Sequence, residues 1–492
     1  MPPKTSPPDT ATGLHGMKKK QSDRNRYNLD VQSASDPSST SFGWANAWVV
    51  VRSTSSADKE GTDFTSLADA LKSGAKNIHL KEGIHRLDQT IVLGQNHAGL
   101  HIRGASKERT IIKYTGKESM FVAFNTRNVA LSNLSLDARE ANPPSNTHAH
   151  DEHEQMWQVI GVVNSSGIGV LDCIIHAPPN MHAIFFAGSF YASSRLYQPF
   201  FGDTSSRYDE GDKETVDAYR GGYLDENNAV RNNEIYSGYD GDALVFTFQR
   251  NGEVSGNRVI KGSISLYMNR DTTCRSNTVM NAPTYGIHVT LPSHNIYIDS
   301  NRIVQAGASA VRVARMDMNG GPLAHDLEQV IQPPPTVTTD ERPQYRAKGI
   351  QITSNRILDS QIIGVEVEMT HGAIISDNII SRTQYSAICL QHSDQPILSD
   401  NHLEDVGLVA KRHEHNGGIY AAMAVTGAII QDNMVTESQC HGNQFGIKIA
   451  DVSENKDNQV SKNILSGKYE AGEAIVVGGD GSSMVPSANI LL

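Results

Sequence analysis

The chain has 492 residues, with 43 Lys and Arg against 54 Asp and Glu, for a net charge of −11. That balance excludes a general nucleic-acid binder, which carries a basic face; it leaves room for an acidic sugar polymer, which a few local arginines hold in a cleft. No run approaches the roughly 18 apolar residues of a spanning helix, so no membrane partner is expected.

In chain order, residues 1–45 are polar, proline-rich and basic, without the apolar stretch of a secretory leader. They are expected to form a loosely packed or disordered extension ahead of one domain over 46–492. Asp63 to Leu71 reads as a short amphipathic helix, and Ile78 to Leu87 as a strand. Ala141 to Gln155 is histidine-rich; His148, His150, Asp151 and His153 are the donor types that suit zinc or manganese. No HExxH pattern accompanies them, and no cofactor is otherwise required. Ser189 to Gly222 is aromatic and acidic and includes Tyr197 and Tyr208. Met316 to Lys348 holds three consecutive prolines, Pro333 to Pro335. These three stretches read as loops inserted between repeats. The last two follow strands, so the aromatic one is expected to wall a groove, with Tyr197 and Tyr208 stacking on sugar rings, while the proline-rich one reads equally as a groove wall or as a disordered or oligomer-contact segment. Cys173, Cys274, Cys389 and Cys440 are far apart and are expected to be unpaired, partly buried thiols.

From about residue 230 onward the chain repeats itself. A small polar residue, an Asn, any residue and an aliphatic recur at Asn233, Asn257, Asn277 and Asn301, then at Asn355, Asn378, Asn401, Asn433 and Asn463. Successive spacings are 24, 20, 24, 54, 23, 23, 32 and 30, so most sit near one value and the long ones are a repeat plus an insertion. Each repeat contains short runs that alternate apolar and polar, the mark of strands with one buried face. Three short strands in a coil of about 22 residues fit a right-handed parallel β-helix; propeller blades run roughly 40 residues or more. One coil cannot bury its own apolar side, so coils must stack. The recurrent Asn is expected at a bend, where it tolerates left-handed backbone and hydrogen-bonds to its stacked equivalents.

The repeat, and the helix-then-strand start at Asp63 to Leu87, resemble the pectate-lyase-like superfamily. The resemblance covers Ile78 to Leu492, and it implies that the helix caps the open end of the core. It implies architecture more than chemistry, because lyases, epimerases, hydrolases, esterases and phage tailspikes share the fold. Mannuronan C5-epimerases and alginate or pectate lyases of the superfamily are the nearest functional analogy. The Asp-Pro-His-Asp signature of the epimerases is absent; Gly238-Tyr-Asp-Gly-Asp stands where it would be sought. The calcium-binding nonapeptide repeats of the secreted epimerases are missing too.

Aligning the third strand of successive repeats gives candidate site residues. Alternation turns Leu244, Phe246, Ile264, Leu266, Ile287 and Val289 inward, and likewise Val311, Val313, Val365 and Val367. It turns Tyr267, His288 and Arg312 outward on three successive coils about 4.8 Å apart, within reach of one sugar. That trio suits β-elimination from, or C5-epimerisation of, a uronate: Arg312 neutralises the carboxylate, His288 takes the proton and Tyr267 gives one. Gln249, Asn269, Thr290, Glu366 and Glu368 are expected to face the same way and bind substrate. A rival constellation is acidic: Asp240 and Asp242, with Asp271 on the next coil opposite Asp242, could act as a carboxylate pair in glycoside hydrolysis. A third reading is a glycan-binding β-helix without chemistry, of tailspike or adhesin type and usually trimeric; whether the chain forms a homo-oligomer is left open.

Overall fold

A computed structural model describes residues 48–53, 64–143, 157–188, 224–238, 241–290, 292–314, 346–409, 416–437, 445–467, 469, 474–484 and 488–492. Most of residues 1–45 and of the three insertions, with Tyr197 and Tyr208, lies outside these residues.

One coil shows why the chain turns. Glu253–Ser255, Arg258–Ile260 and Ser263–Tyr267 are three short strands, one in each of three sheets. The next coil repeats them as Arg270–Arg275, Thr278–Met280 and Ile287–Thr290. Pairing is parallel and in register, Val254 to Cys274, Val259 to Val279 and Leu266 to Val289. Between strands a single residue enters the left-handed region: Gly256 at φ 65°, Lys261 at 58° and Met268 at 49°. One such residue swings the chain through a corner without a loop, which is how so few residues complete a coil. We call the sheets I, II and III in the order each coil visits them; among the described residues they hold 19, 14 and 13 strands, so the fold is a right-handed parallel β-helix.

The asparagines form the expected ladder. Asn277 Nδ2 donates to Asn301 Oδ1 at 3.0 Å, and the Asn277 backbone N–H donates to the same oxygen at 2.9 Å. The pattern runs from Asn233 to Asn489, and Cys173 heads it by donating its backbone N–H to Asn233 Oδ1 at 2.8 Å. The left-handed residue is not the Asn itself but the one before it, such as Ser276, Ser300, Ser354, Asp377 or Asp400. That residue makes the corner, and the turn aims the Asn side chain inward.

All ten residues expected inside sheet III belong to one apolar cluster that runs through the stack. The helix is shorter than expected, Leu67–Lys72; Ser66 caps it by accepting the Asp69 N–H, and Leu67, Ala70 and Leu71 are buried in the same cluster. The expected strand from Ile78 to Leu87 is two strands, Asn77–Leu80 and Gly83–Leu87, because Lys81 and Glu82 make a corner. A further strand, Val49–Val51, pairs with Asn77–Leu80. Cys173, Cys274 and Cys389 are buried free thiols; Cys440 lies outside the described residues. No described helix is long and apolar enough to cross a membrane.

Candidate active site on the outer face of sheet III

Sheet III carries two outward columns. In the first, Ser265 pairs with His288, His288 with Arg312, and Arg312 with Glu366. In the second, Thr247 pairs with Tyr267 and Tyr267 with Thr290, while Glu368 lies across from Gln391. Tyr267 is therefore one column over from His288. Their rings still meet edge to face at 5.7 Å, so the trio is brought together.

The site is not an open groove. His288 is 5% exposed, Arg312 1% and Glu366 1%. Burial therefore requires each charge to be answered by a partner. Arg312 Nε lies 3.5 Å from Glu366 Oε2, and Arg312 Nη1 donates to the Tyr285 hydroxyl at 3.0 Å. The guanidinium also sits 5.1 Å from the Tyr285 ring centre. Ser309 donates to the same Glu366 oxygen at 2.7 Å. The Arg312 guanidinium is thus held between Glu366 and Tyr285.

The other end is built on Asp242. Its carboxylate accepts from the Tyr267 hydroxyl and, at 2.6 Å, from Ser265 Oγ. The ring of His182 donates through Nδ1 to the Asp242 carbonyl. His288 stands between the two ends, with Tyr285 on its other side at 4.7 Å between ring centres. Its Nε2 is buried and has no hydrogen-bond partner among the described residues. Burial, and then the charge of Arg312, hold the His288 pKa well below its usual 6.5, so the imidazole is neutral at neutral pH. A neutral imidazole between a guanidinium and a phenol is chemically able to exchange a proton with a group placed against it.

Several expected residues lie elsewhere. Gln249 and Asn269 are fully buried in a second ladder at the corner between sheets III and I. Asn228 donates to Gln249 Oε1 at 2.6 Å, the Gln249 N–H donates to Asn269 Oδ1 at 2.8 Å, and the Asn269 N–H donates to Ser293 Oγ at 3.1 Å. They hold the corner rather than face a ligand. Asp271 lies on sheet I, accepts from Asn295 at 2.7 Å, and does not stand opposite Asp242. Thr290, Glu366 and Glu368 are on the outer face as expected, all buried. Asp240 lies outside the described residues, as do His148, His150 and His153; among the described residues no group of three or more His, Cys, Asp or Glu is placed to hold a metal. Sequence reasoning missed His182, Ser265, Tyr285 and Ser309. Tyr285 and Ser309 each stand three residues before His288 and Arg312, an offset visible once the strands are aligned.

The solved structures that resemble the chain include the Azotobacter vinelandii mannuronan C-5 epimerase AlgE6 A-module, 14% identical, covering 87% of this chain and 93% of that one with a TM-score of 0.48. The N-terminal fragment of bacteriophage phi29 gene product 12 is 15% identical over 85% of this chain and 67% of that one, with a TM-score of 0.50. The pre-mature form of the same phi29 product is 13% identical over 86% and 55%, also at 0.50. At these identities the likeness is one of fold. No curated protein sequence matches the chain. The family model for the right-handed beta helix region matches residues 209–318 and 344–489, more than half of the sequence, so the chain belongs to the right-handed β-helix family.

Proposed function

We propose that this protein is a carbohydrate-active enzyme that removes the C5 proton of a uronate residue in an extended polysaccharide, as a lyase or a C5-epimerase. The observation that carries this reading is the register that sets His288 against Arg312 on adjacent coils, with Tyr267 edge-on to the same imidazole. Arg312 holds the substrate carboxylate and stabilises the enolate that forms when C5 loses its proton. Neutral His288 takes that proton. The resulting imidazolium is disfavoured by burial and by Arg312, and the negative charge on the adjacent enolate offsets both. In elimination, the C5 electrons form the C4–C5 double bond, the C4–oxygen bond breaks, and Tyr267 protonates the departing oxygen. In epimerisation, Tyr267 protonates C5 from the opposite face. Asp242, which accepts from the Tyr267 hydroxyl, orients it in either case.

A second reading is glycoside hydrolysis. Glu366 and Glu368 stand two residues apart on one strand and both face outward, roughly 6–7 Å apart along the backbone. That is close to the separation of carboxylates that activate water between them. Incubation with a panel of acidic and neutral polysaccharides separates the readings. The uronate reading expects unsaturated products absorbing in the ultraviolet, or changed uronate composition without cleavage, and loss of either in His288→Ala. New reducing ends without unsaturation favour hydrolysis. Tight binding with no product from any polymer overturns both.

A further inference from the structure

Sheet II, a different face of the stack from the candidate active site, carries an unusual column of charge. Along its first outward column the in-register residues are Arg258, Thr278, Arg302, Arg356, Ile379 and His402. Arg258, Arg302 and Arg356 are exposed, and Lys261 at the adjoining corner is exposed as well. Parallel strands are about 4.8 Å apart, so Arg302 and Arg356 are immediate neighbours and Arg258 lies two coils below. Like charges set side by side on a sheet destabilise it. On sheet I the cations are answered by acids: Glu253 contacts both Arg231 and Arg275, and Arg250, in register with Arg270, is paired with Glu226. Among the described residues of sheet II no acid is paired with Arg258, Arg302 or Arg356. Among the described residues Arg302 and Arg356 make no ion pair or side-chain hydrogen bond, and Arg258, in register with Glu234, makes one weak contact, at 3.4 Å to the Tyr236 hydroxyl. No acidic residue occurs on the two outward columns of this face between Glu234 and Glu404. Glu234 is itself engaged by Lys107 at 3.5 Å, and Asp359, at the adjoining corner, is held by Arg382. The second outward column beside the arginines is apolar and half-buried: Ile260, Met280, Val304 and Leu358.

We infer that this face is a docking track for an acidic polysaccharide, separate from the site of chemistry. A row of cations at coil spacing beside an apolar strip matches a polymer that offers one carboxylate per sugar and the C–H faces of its rings. Arginine suits it because its guanidinium pairs with a carboxylate through two parallel N–H groups. Nucleic acid fits less well. Tyr236 on these columns already stacks on His176 at 4.7 Å, His402 is a single exposed ring where a run of stacked bases needs several, and the chain is net acidic. The track does not depend on the chemistry proposed for sheet III. If that chemistry is present as well, the track holds the polymer near it and raises its local concentration.

The test is binding of a long polyuronate to the full chain, measured by calorimetry at low and high salt beside a neutral glucan of equal length. The wild type is expected to bind the polyuronate, more weakly as salt rises. Arg302→Gln with Arg356→Gln is expected to weaken binding about tenfold at low salt, the effect of losing two exposed ion pairs, and to flatten the salt dependence. Arg302→Lys with Arg356→Lys should recover part of the loss. Unchanged melting curves will show that the variants fold. Failure of the wild type to bind acidic polymers, equal affinity for the neutral glucan, or no effect of the Gln pair would each overturn the track. Stronger binding to single-stranded DNA, or self-association lost in the Gln pair, would reassign the face and overturn it too.

Discussion

An imidazole sealed from water beside a guanidinium pays for protonation twice, and His288 is in that position. Its folded pKa lies well below the 6.5 of the unfolded chain. Below pH 6.5 the unfolded chain therefore binds a proton that the folded chain refuses. The stability linked to this group is complete above pH 6.5 and is lost as pH falls from there. His288→Gln is expected to shallow the fall in stability between pH 7.5 and 5 measured by urea unfolding; an unchanged slope would mean that the ring is hydrated. His101, lowered to about 4 by burial and by Arg103, keeps its own share of the slope in that variant. Glu366 is the second residue whose loss should show. Removing one partner of a buried ion pair leaves the other uncompensated, so Glu366→Gln is expected to cost about 3 kcal/mol in the same experiment. Much of this site was legible in the sequence, because strict alternation identifies Tyr267, His288, Arg312 and Glu366 as outward. The same rule misplaced Gln249 and Asn269. Phe248 and Met268 are left-handed, at φ 53° and 49°, and such a residue resets the alternation and turns the next side chain inward. Nothing in an apolar Phe or Met announces a left-handed corner. Ser265 and His182 were missed for another reason: their roles depend on which coil they meet, and register across a corner is set by the fold; Tyr285 and Ser309 precede the aligned strands, where alternation says nothing of direction.

At the scale of the strand and corner, the Asn ladder carries the constraint. Asn301 Oδ1 accepts both the backbone N–H and the side-chain amide of Asn277, and its own Nδ2 donates to the Cys274 carbonyl at 2.9 Å. All are buried, so truncation strands donors with no water to replace the lost oxygen. Asn301→Ala is expected to destabilise by roughly 2–4 kcal/mol. Ser300→Gly, one residue earlier, should be close to neutral, since Ser300 is exposed at φ 55° and glycine adopts that conformation freely. Unfolding both variants in urea checks the contrast; equal costs would mean that the corner, and not the amide, holds the coil. The ladder was readable because the fold requires the same chemistry at the same offset in every coil. The helix boundary and the break at Lys81 and Glu82 were not, because each occurs once and no repetition marks it.

Across the stack, the strands of each coil pair only with those of the coil above and the coil below, and this makes cooperativity a local property. Two buried thiols serve as reporters of it. Cys173 heads the ladder and Cys274 lies three coils further along, past the steps at Asn233, Asn257 and Asn277; burial pushes both thiols up to about 12, so neither reacts while its coil is closed. Ile298 packs in register against Cys274, and Ile298→Ala is expected to leave a cavity costing about 2–5 kcal/mol. In a stack governed by nearest neighbours that cost is felt where it is made. With Cys440→Ser and Cys389→Ala as background, thiol labelling under native conditions should then accelerate strongly at Cys274 and little at Cys173. If the coils instead opened as one unit, both rates would rise by the same factor, and the height of a coil in the stack would have no meaning for its stability. The difference bears on function as well. A site assembled from His288, Arg312 and Glu366 spans three adjacent coils, so under nearest-neighbour behaviour its geometry depends on those coils and their immediate neighbours, and the Arg302–Arg356 column on sheet II, which belongs to two of the same three coils, should open together with it.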